Sequence, residues 1–285
     1  MNPISAKAII VGADGVIGSA LYDCLVPNYS AVYGTSRRVQ KRQDFSQIDL
    51  SNSFDDLSKI ASRCKVAFIC AAITKAVDCE NNRAESYAVN VTNTLKIIKI
   101  LQDLGVFVVW LSSNAVFSGE SPFSGLDEPY MPLTEYGRQK AEAEQKILDL
   151  GGVAIVRLTK VLSKNTPLIR GWVNDLRVGK EIHPFSDAYF SPISLNYATN
   201  AIAKVGRNGK SGIFNISGSV DFSYSDFARV LAVKLCGVDH LVKPVTKARS
   251  SMLATGRYSS LDMKQMTAMT FIKPQLCDDL LEDIL

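Results

Sequence analysis

Five short apolar runs, separated by segments of helical pattern, constrain this chain more than any other feature. AKAIIVGA (6–13), SAVYGTS (30–36), KVAFICAA (65–72), VFVVWLSS (106–113) and GVAIVRLT (152–159) each read as a strand. Where the run is continuous rather than alternating, as in KVAFICAA, the strand belongs to a sheet buried on both faces. Between the runs, residues 16–25, 87–105 and 134–148 carry apolar side chains at helical spacing, and the second of these stops at Gly105. Strand and helix alternating in this order predict a parallel, doubly wound α/β sheet with right-handed crossovers.

After residue 160 the pattern loosens. WVNDLRVGKEI reads as helix and HPFSDAYFSPIS as loop. NYATNAIAKVG is a helix, SGIFNISG a strand, and FSYSDFARVLAVKLCG a helix with Ser223 or Ser225 available as its cap. The expected division is a dinucleotide-binding domain over 1–159 and a smaller C-terminal substrate lobe over 160–285. Residues 193–217 are expected to return to the sheet.

Charge and cysteine usage exclude several classes. Lys and Arg number 32 against 28 Asp and Glu, a net +4, which gives no case for a nucleic-acid surface but suits a pocket for an anionic small molecule. MNPISAKAIIVGADG is neither a signal peptide nor a membrane span, and no other apolar run is long enough for one. Six cysteines without Cys-x-x-Cys spacing and only two histidines, His183 and His240, argue against a metal site. Free thiols in a reducing cytoplasm are the expectation.

The first strand runs into Gly12-Ala-Asp-Gly15-Val16-Ile17-Gly18, and a helix follows. In that setting Gly12 and Gly15 let backbone approach a pyrophosphate, and Gly18 lets helix pack on strand. The helix N-terminus offers N–H groups and the positive end of its dipole to phosphates. The arrangement predicts a Rossmann-like dinucleotide site. At the end of the second strand, Thr35, Ser36, Arg37 and Arg38 stand where an acid would otherwise hold the adenosine ribose. Hydroxyls and guanidinium groups suit a 2′-phosphate, which favours NADPH over NADH. Asp49-Leu50 falls where a carboxylate reaches the adenine amino group.

TEYGRQKAEAEQKIL (134–148) places Tyr136 and Lys140 one turn apart on one helix face. Ser112-Ser113 ends a strand at the carboxyl edge of the predicted sheet, where open α/β folds bind ligands. Reducing a carbonyl needs a hydride on carbon and a proton on oxygen. A phenol of pKa about 10 becomes a usable acid and base when a nearby cation favours its phenolate. Lys140 would supply that charge and bind the cofactor's ribose hydroxyls, with Tyr136 also against the cofactor, and Ser113 would hydrogen-bond the developing alkoxide.

GADGVIGSAL, CAAIT with VDCE, YAVNVTNTL, LSSNAVFSG, EYGRQKAEAE, VRLTKVLS, FSPIS and GIFNISG follow one another along most of the chain. In that order they resemble the extended short-chain dehydrogenase/reductases, and within them the dTDP-4-dehydrorhamnose reductase (RmlD-like) group. The resemblance implies a catalytic set of Ser113, Tyr136 and Lys140. It implies a cofactor loop of Gly12, Gly15, Val16, Ile17 and Gly18, with Ala71, Ala72 and Ile73 passing the cofactor's ribose and phosphates. It makes Asn90 an asparagine behind the active site and sets Thr159 near the nicotinamide. Phe190, Ser191 and Pro192 fall on its substrate-side segment, and Asn114, Val116 and Ser191 are expected to contact the substrate.

One departure is Ser113-Asn114 where the family's reductases often have Thr-Asp. The amide removes a proton donor and argues against a sugar dehydratase. The segment 160–190, poorly matched, contains Arg170, Trp172, Arg177, His183 and Tyr189; Trp172 and Arg177 are taken as candidate contacts to a nucleotide or diphosphate. The implied activity is NADPH-dependent reduction of a nucleoside-diphosphate 4-keto-6-deoxy-sugar, with no metal, no membrane partner and a homodimer as the superfamily's common assembly. The alternatives are a sugar-nucleotide epimerase and a non-catalytic NADP-binding regulatory subunit.

Overall fold

The structure is a computed structural model that describes residues 4–51, 54, 56–246 and 256–285. Part of the C-terminal tail, residues 247–255, lies outside the described residues. The chain runs β1 (Ile4–Val11), α1 (Val16–Leu25), β2 (Tyr29–Ser36), β3 (Phe45–Gln47), α2 (Leu57–Ala61), β4 (Val66–Ile69), α3 (Ala76–Asn81) and α4 (Arg83–Tyr87). A π-helical turn (Ala88–Asn93) joins α4 to α5 (Thr94–Asp103); then come β5 (Phe107–Ser113), α6 (Glu135–Leu150), β6 (Val153–Leu158), β7 (Lys160–Leu162) and α7 (Pro167–Arg177). The rest is β8 (Tyr189–Phe190), β9 (Pro192–Ser194), α8 (Leu195–Asn208), β10 (Gly212–Ile216), β11 (Phe222–Ser223), α9 (Tyr224–Cys236), α10 (Lys264–Thr270) and α11 (Cys277–Ile284).

Seven strands form one parallel sheet in the order β10-β6-β5-β4-β1-β2-β3. Strand order reverses between β1 and β4, so a crevice opens there at the carboxyl ends. Successive residues of β1 face opposite layers. Ala8 and Ile10 pack toward α1 and α8, while Ile9 and Val11 pack toward α2, α5 and α6. This two-sided burial is why the strand sequences are continuously apolar.

β10 extends the sheet beside β6, and Met263, which precedes α10, and Met266 within it join the same core as α1 and α8. The last part of the chain is therefore divided between this core and another. A third core, built from Ile169, Trp172, Leu176, Phe190, Phe227, Leu231, Leu280 and Leu281, holds α7, α9 and α11 together over the strand ends.

The segment read as loop, HPFSDAYFSPIS, holds the short strands β8 and β9, and one helix shifts. The helix expected from Trp172 to Ile182 begins at Pro167 and ends at Arg177. Proline is pre-set for the first helical turn, and Gly179 at φ +72° takes the chain out of the helix. Ser223 caps α9, its hydroxyl accepting from the Asp226 N–H at 3.0 Å. Strand β3 and helices α2, α3, α10 and α11 carried no distinct pattern, being three to eight residues long.

Candidate functional site

The crevice begins at the loop between β1 and α1. Gly12 has φ +85°, and a Cβ there would lie 2.7 Å from the Ala71 nitrogen, so only glycine fits. At Gly18 a Cβ would fall 2.1 Å from the Gly12 carbonyl oxygen, so glycine permits α1 to sit against the loop. The Gly12 N–H donates to Thr35 Oγ1 at 3.2 Å, tying the loop to β2. Helix α1 has no side-chain cap and no acid in its first turn, which leaves its N–H groups and dipole available for an anion.

A cavity of about 530 Å³ spreads from this loop. Gly12, Gly15, Ser36, Arg37, Arg38, Asp49, Leu50, Ala71, Ala72 and Ile73 line it. Ser36 Oγ accepts from the Arg38 N–H at 2.9 Å and so sets the turn that presents the two arginines. Asn90 reaches from the π-turn: its Oδ1 accepts from the Ile73 N–H at 2.8 Å and its Nδ2 donates to the Ile73 carbonyl at 2.9 Å. The amide thus holds the Ala71–Ile73 wall from behind rather than lining the cavity. Val16 is exposed and Gly18 buried, neither facing the cavity, while Ile17 lines the neighbouring one. A glycine cradle, a free helix N-terminus and paired guanidinium groups together fit a dinucleotide phosphate.

A second cavity, about 510 Å³, continues from the first through Cys70, Ala72 and Thr74. Ser113, Asn114, Tyr136, Lys140 and Thr159 all line it. Ser113 closes β5, and Thr134 caps α6 by accepting from the Gly137 N–H at 3.1 Å. Tyr136 and Lys140 therefore enter from the first two turns of α6. The Ser113 hydroxyl accepts from the Ala115 N–H at 3.2 Å. Burial pushes the Tyr136 phenol up to about 12, and a hydrogen bond with Ser113 works in the other direction. Lys140 is 3% exposed, donates to the Leu111 carbonyl at 2.8 Å and sits 4.3 Å over the Trp110 ring. Burial pulls its ammonium down to about 8, against the upward pull of Glu144, first among several neighbours. The phenol is thus a proton donor with a cation one turn away. Thr159 Oγ1 is buried without a hydrogen-bond partner, leaving a polar atom for a ligand.

The far end of this cavity differs from expectation. Trp172 packs edge-on to Tyr224 at 6.5 Å in the core of α7 and α9. Its apolar neighbours take it out of the cavity, and Arg177, exposed at the end of α7, does not line it either. Val116 is fully buried against Phe117 and Ala141. Ser191 is buried too: its N–H donates to Ser259 Oγ at 2.6 Å and its hydroxyl pairs with Ser217 at 3.2 Å. The cavity wall here consists of Tyr189, Phe190, Tyr224, Tyr258 and Ser259. Tyr258 and Ser259 come from a tail segment with no local signal. Asp221 brings them in by accepting from the Ser259 and Ser260 N–H groups at 2.7 and 3.0 Å.

Among the described residues no group of three or more His, Cys, Asp or Glu side chains is placed to hold a metal ion, and no helix is long and apolar enough to cross a membrane. All six cysteines are free.

Residues 6–285 match the family model described as RmlD substrate binding domain. The chain is 26% identical over 288 residues to the "Probable low-salt glycan biosynthesis reductase Agl14" of Haloferax volcanii, with 96% of this chain and 95% of that protein covered. It is 27% identical over 198 residues to methionine adenosyltransferase 2 subunit beta of Bos taurus, covering 69% of this chain but 57% of that subunit. Its fold is similar to that of dTDP-4-dehydrorhamnose reductase from Bacillus anthracis, solved in complex with NADP, at a TM-score of 0.84, 22% identity and coverage of 99% and 98%. With residues 6–285, nearly its whole length, matched, this chain belongs to the RmlD substrate binding domain family.

Proposed function

We propose that the protein is an NADPH-dependent oxidoreductase that reduces the 4-keto group of a nucleoside-diphosphate 6-deoxy-sugar, a step in making deoxysugars for polysaccharide or glycan. The observation that carries this reading is the meeting of Ser113, Tyr136 and Lys140 in one cavity continuous with the glycine cradle. The full-length likeness to a probable glycan biosynthesis reductase and the fold of an NADP-bound dTDP-4-dehydrorhamnose reductase support it. Residues 1–159 with the returning strand β10 act as the cofactor unit, and the remainder as the substrate lobe.

In this reading the glycine loop and the α1 N-terminus hold the pyrophosphate. Ser36, Arg37 and Arg38 hold the adenosine 2′-phosphate, with Asp49 and Leu50 beside the adenine. Ala71, Ala72, Ile73 and Thr159 border the ribose and nicotinamide. A reduced nicotinamide, when bound, supplies the hydride. Tyr136 protonates the carbonyl oxygen: a phenol raised to about 12 holds its proton until the alkoxide forms. Ser113 hydrogen-bonds that oxygen as negative charge develops. Lys140 stabilises the phenolate left behind. Tyr189, Tyr224 and Tyr258, which line this end of the cavity, border the sugar or nucleobase in place of Trp172.

An epimerase shares this constellation, and is separated by whether cofactor is consumed. The complete Ser-Tyr-Lys set weighs against a purely regulatory subunit. The test is loss of NADPH absorbance with a panel of nucleoside-diphosphate 4-keto-6-deoxyhexoses. Turnover on one of them, reduced about 10²–10⁴-fold in Tyr136→Phe with NADPH binding retained, is the expected result. Full turnover in Tyr136→Phe overturns the assignment of the proton donor. Absence of turnover across the panel, from protein that binds NADPH, overturns the substrate class.

A further inference from the structure

Directly behind Ser113 and Lys140 lies a buried ionic cluster with no part in the chemistry above. Glu144, on α6 one turn beyond Lys140, is fully buried, and Arg157 on β6 is 1% exposed. Arg157 Nη2 and Nε donate to Glu144 Oε2 at 2.7 and 3.0 Å, and Nε also reaches Oε1 at 3.2 Å. Tyr130 donates its hydroxyl to Oε2 at 2.9 Å, and Ser112 donates its hydroxyl to Oε1. Ser112 immediately precedes Ser113, and Ser112 stands opposite Arg157 in the β5–β6 ladder. One carboxylate therefore ties the end of β5, the strand β6, the loop at Tyr130 and the catalytic helix at a single point.

A charged pair so deep is costly unless its geometry is satisfied, and an apolar pair of similar volume would often be as stable. Stability alone gives little reason for it here. Its placement supplies another reason. The groups facing Lys140 are the Tyr136 ring and Glu144 from α6, Trp110 and the Leu111 carbonyl from β5, Cys70 after β4 and Cys79 from α3. Glu144 is the one carboxylate among them, and burial pushes the Cys70 thiol up to about 12, which leaves it neutral.

We propose that Glu144 is a positioning residue for the reaction: it locks Ser113 in register with Tyr136 and Lys140, and it sets a fixed negative charge behind the Lys140 ammonium. Arg157, Ser112 and Tyr130 hold the Glu144 carboxylate in place and aimed. The inference rests on the reductase reading for its effect on turnover, but its electrostatic part concerns Lys140 alone.

The experiment is a pH titration of the Lys140 side chain by NMR of lysines labelled at the ε-carbon, with the resonance assigned from Lys140→Arg. It is run on the full chain and on Glu144→Gln, which keeps shape and loses charge. NADPH turnover against pH is measured in parallel. In Glu144→Gln the Lys140 midpoint is expected to fall by about one pH unit. The alkaline limb of kcat moves down with it, kcat falls about tenfold, and KM stays within about twofold. Glu144→Asp, which keeps the charge, restores the midpoint although not the full kcat. An unmoved midpoint in Glu144→Gln overturns the proposal, even if kcat falls, because a merely structural role leaves Lys140 unchanged. If Glu144→Gln does not fold, the double variant Glu144→Gln/Arg157→Met, which leaves no buried charge unpaired, is titrated instead, and an unmoved Lys140 midpoint there overturns the proposal. Wild-type protein that turns over no sugar sinks the reductase reading while the NMR titration still decides this one.

Discussion

Gly137→Ala sets two structural effects against each other at the catalytic centre. Gly137 follows Tyr136 in α6, and a Cβ on it would lie 2.2 Å from the Ala115 carbonyl oxygen and 3.0 Å from Pro132 Cβ. Helix propensity alone makes alanine more stable than glycine by about 1 kcal/mol. The contact runs the other way. Relieving 2.2 Å to a tolerable approach moves α6 away from the 113–115 loop by about 1 Å, and overpacking of that kind costs about 1–3 kcal/mol. The net is destabilisation of about 1 kcal/mol, or roughly 2–4 °C in melting temperature for a protein near this size. Activity suffers more, because the same displacement separates Ser113 from Tyr136, and a 1 Å misplacement costs about 10²-fold. Gly171→Ala is the control: it sits in α7 with nothing within 4 Å of its Cβ, and should melt slightly higher with activity unchanged. Thermal melts and NADPH turnover on both variants decide the matter. A Gly137→Ala protein that melts as high as Gly171→Ala and turns over at the wild-type rate would refute the claim that this glycine sets the distance between helix and loop.

Three further outcomes are expected. Replacing Arg37 and Arg38 together by alanine removes charged hydrogen bonds worth about 1.5–3 kcal/mol, so KM for NADPH should rise about 10–100-fold while KM for NADH changes little; equal losses for both would remove the 2′-phosphate role. Lys140 is held down to about 8, so its charge is lost as pH rises through that value and kcat should fall above it. Between that value and about 10.4 the unfolded lysine binds a proton that the folded one lacks, so this group's contribution to stability rises with pH across the same window; a Lys140→Met protein should lose that rise in denaturant titrations.

Much of the fold was legible because its signals are local. A continuously apolar strand such as VAFI needs no partner to announce two-sided burial, and Gly12 needs none to announce a turn that side chains disfavour. Tyr136 and Lys140 were legible for the same reason, since helical spacing alone puts them on one face. Ser113 required one more step, from a strand end to the carboxyl edge of a sheet.

The remainder depended on contacts between distant segments. The chain alone marked Trp172 as aromatic, but only packing against Tyr224, 52 positions on, decided that it serves the lobe's core. Val116 and Ser191 carry family positions, yet their side chains point into apolar or serine-lined interiors. Tyr258 reaches the cavity because Asp221 binds the following two backbone N–H groups, a link across nearly forty residues. The Glu144–Arg157 pair reads in the sequence as two ordinary charges. Burial turns them into an ionic joint, because desolvation and orientation are properties of the surrounding space and not of the residues themselves. The sequence by itself determined the periodicities, the glycine turn and the helical face of the catalytic pair. Tertiary structure alone decided which side chains share the cavity with them.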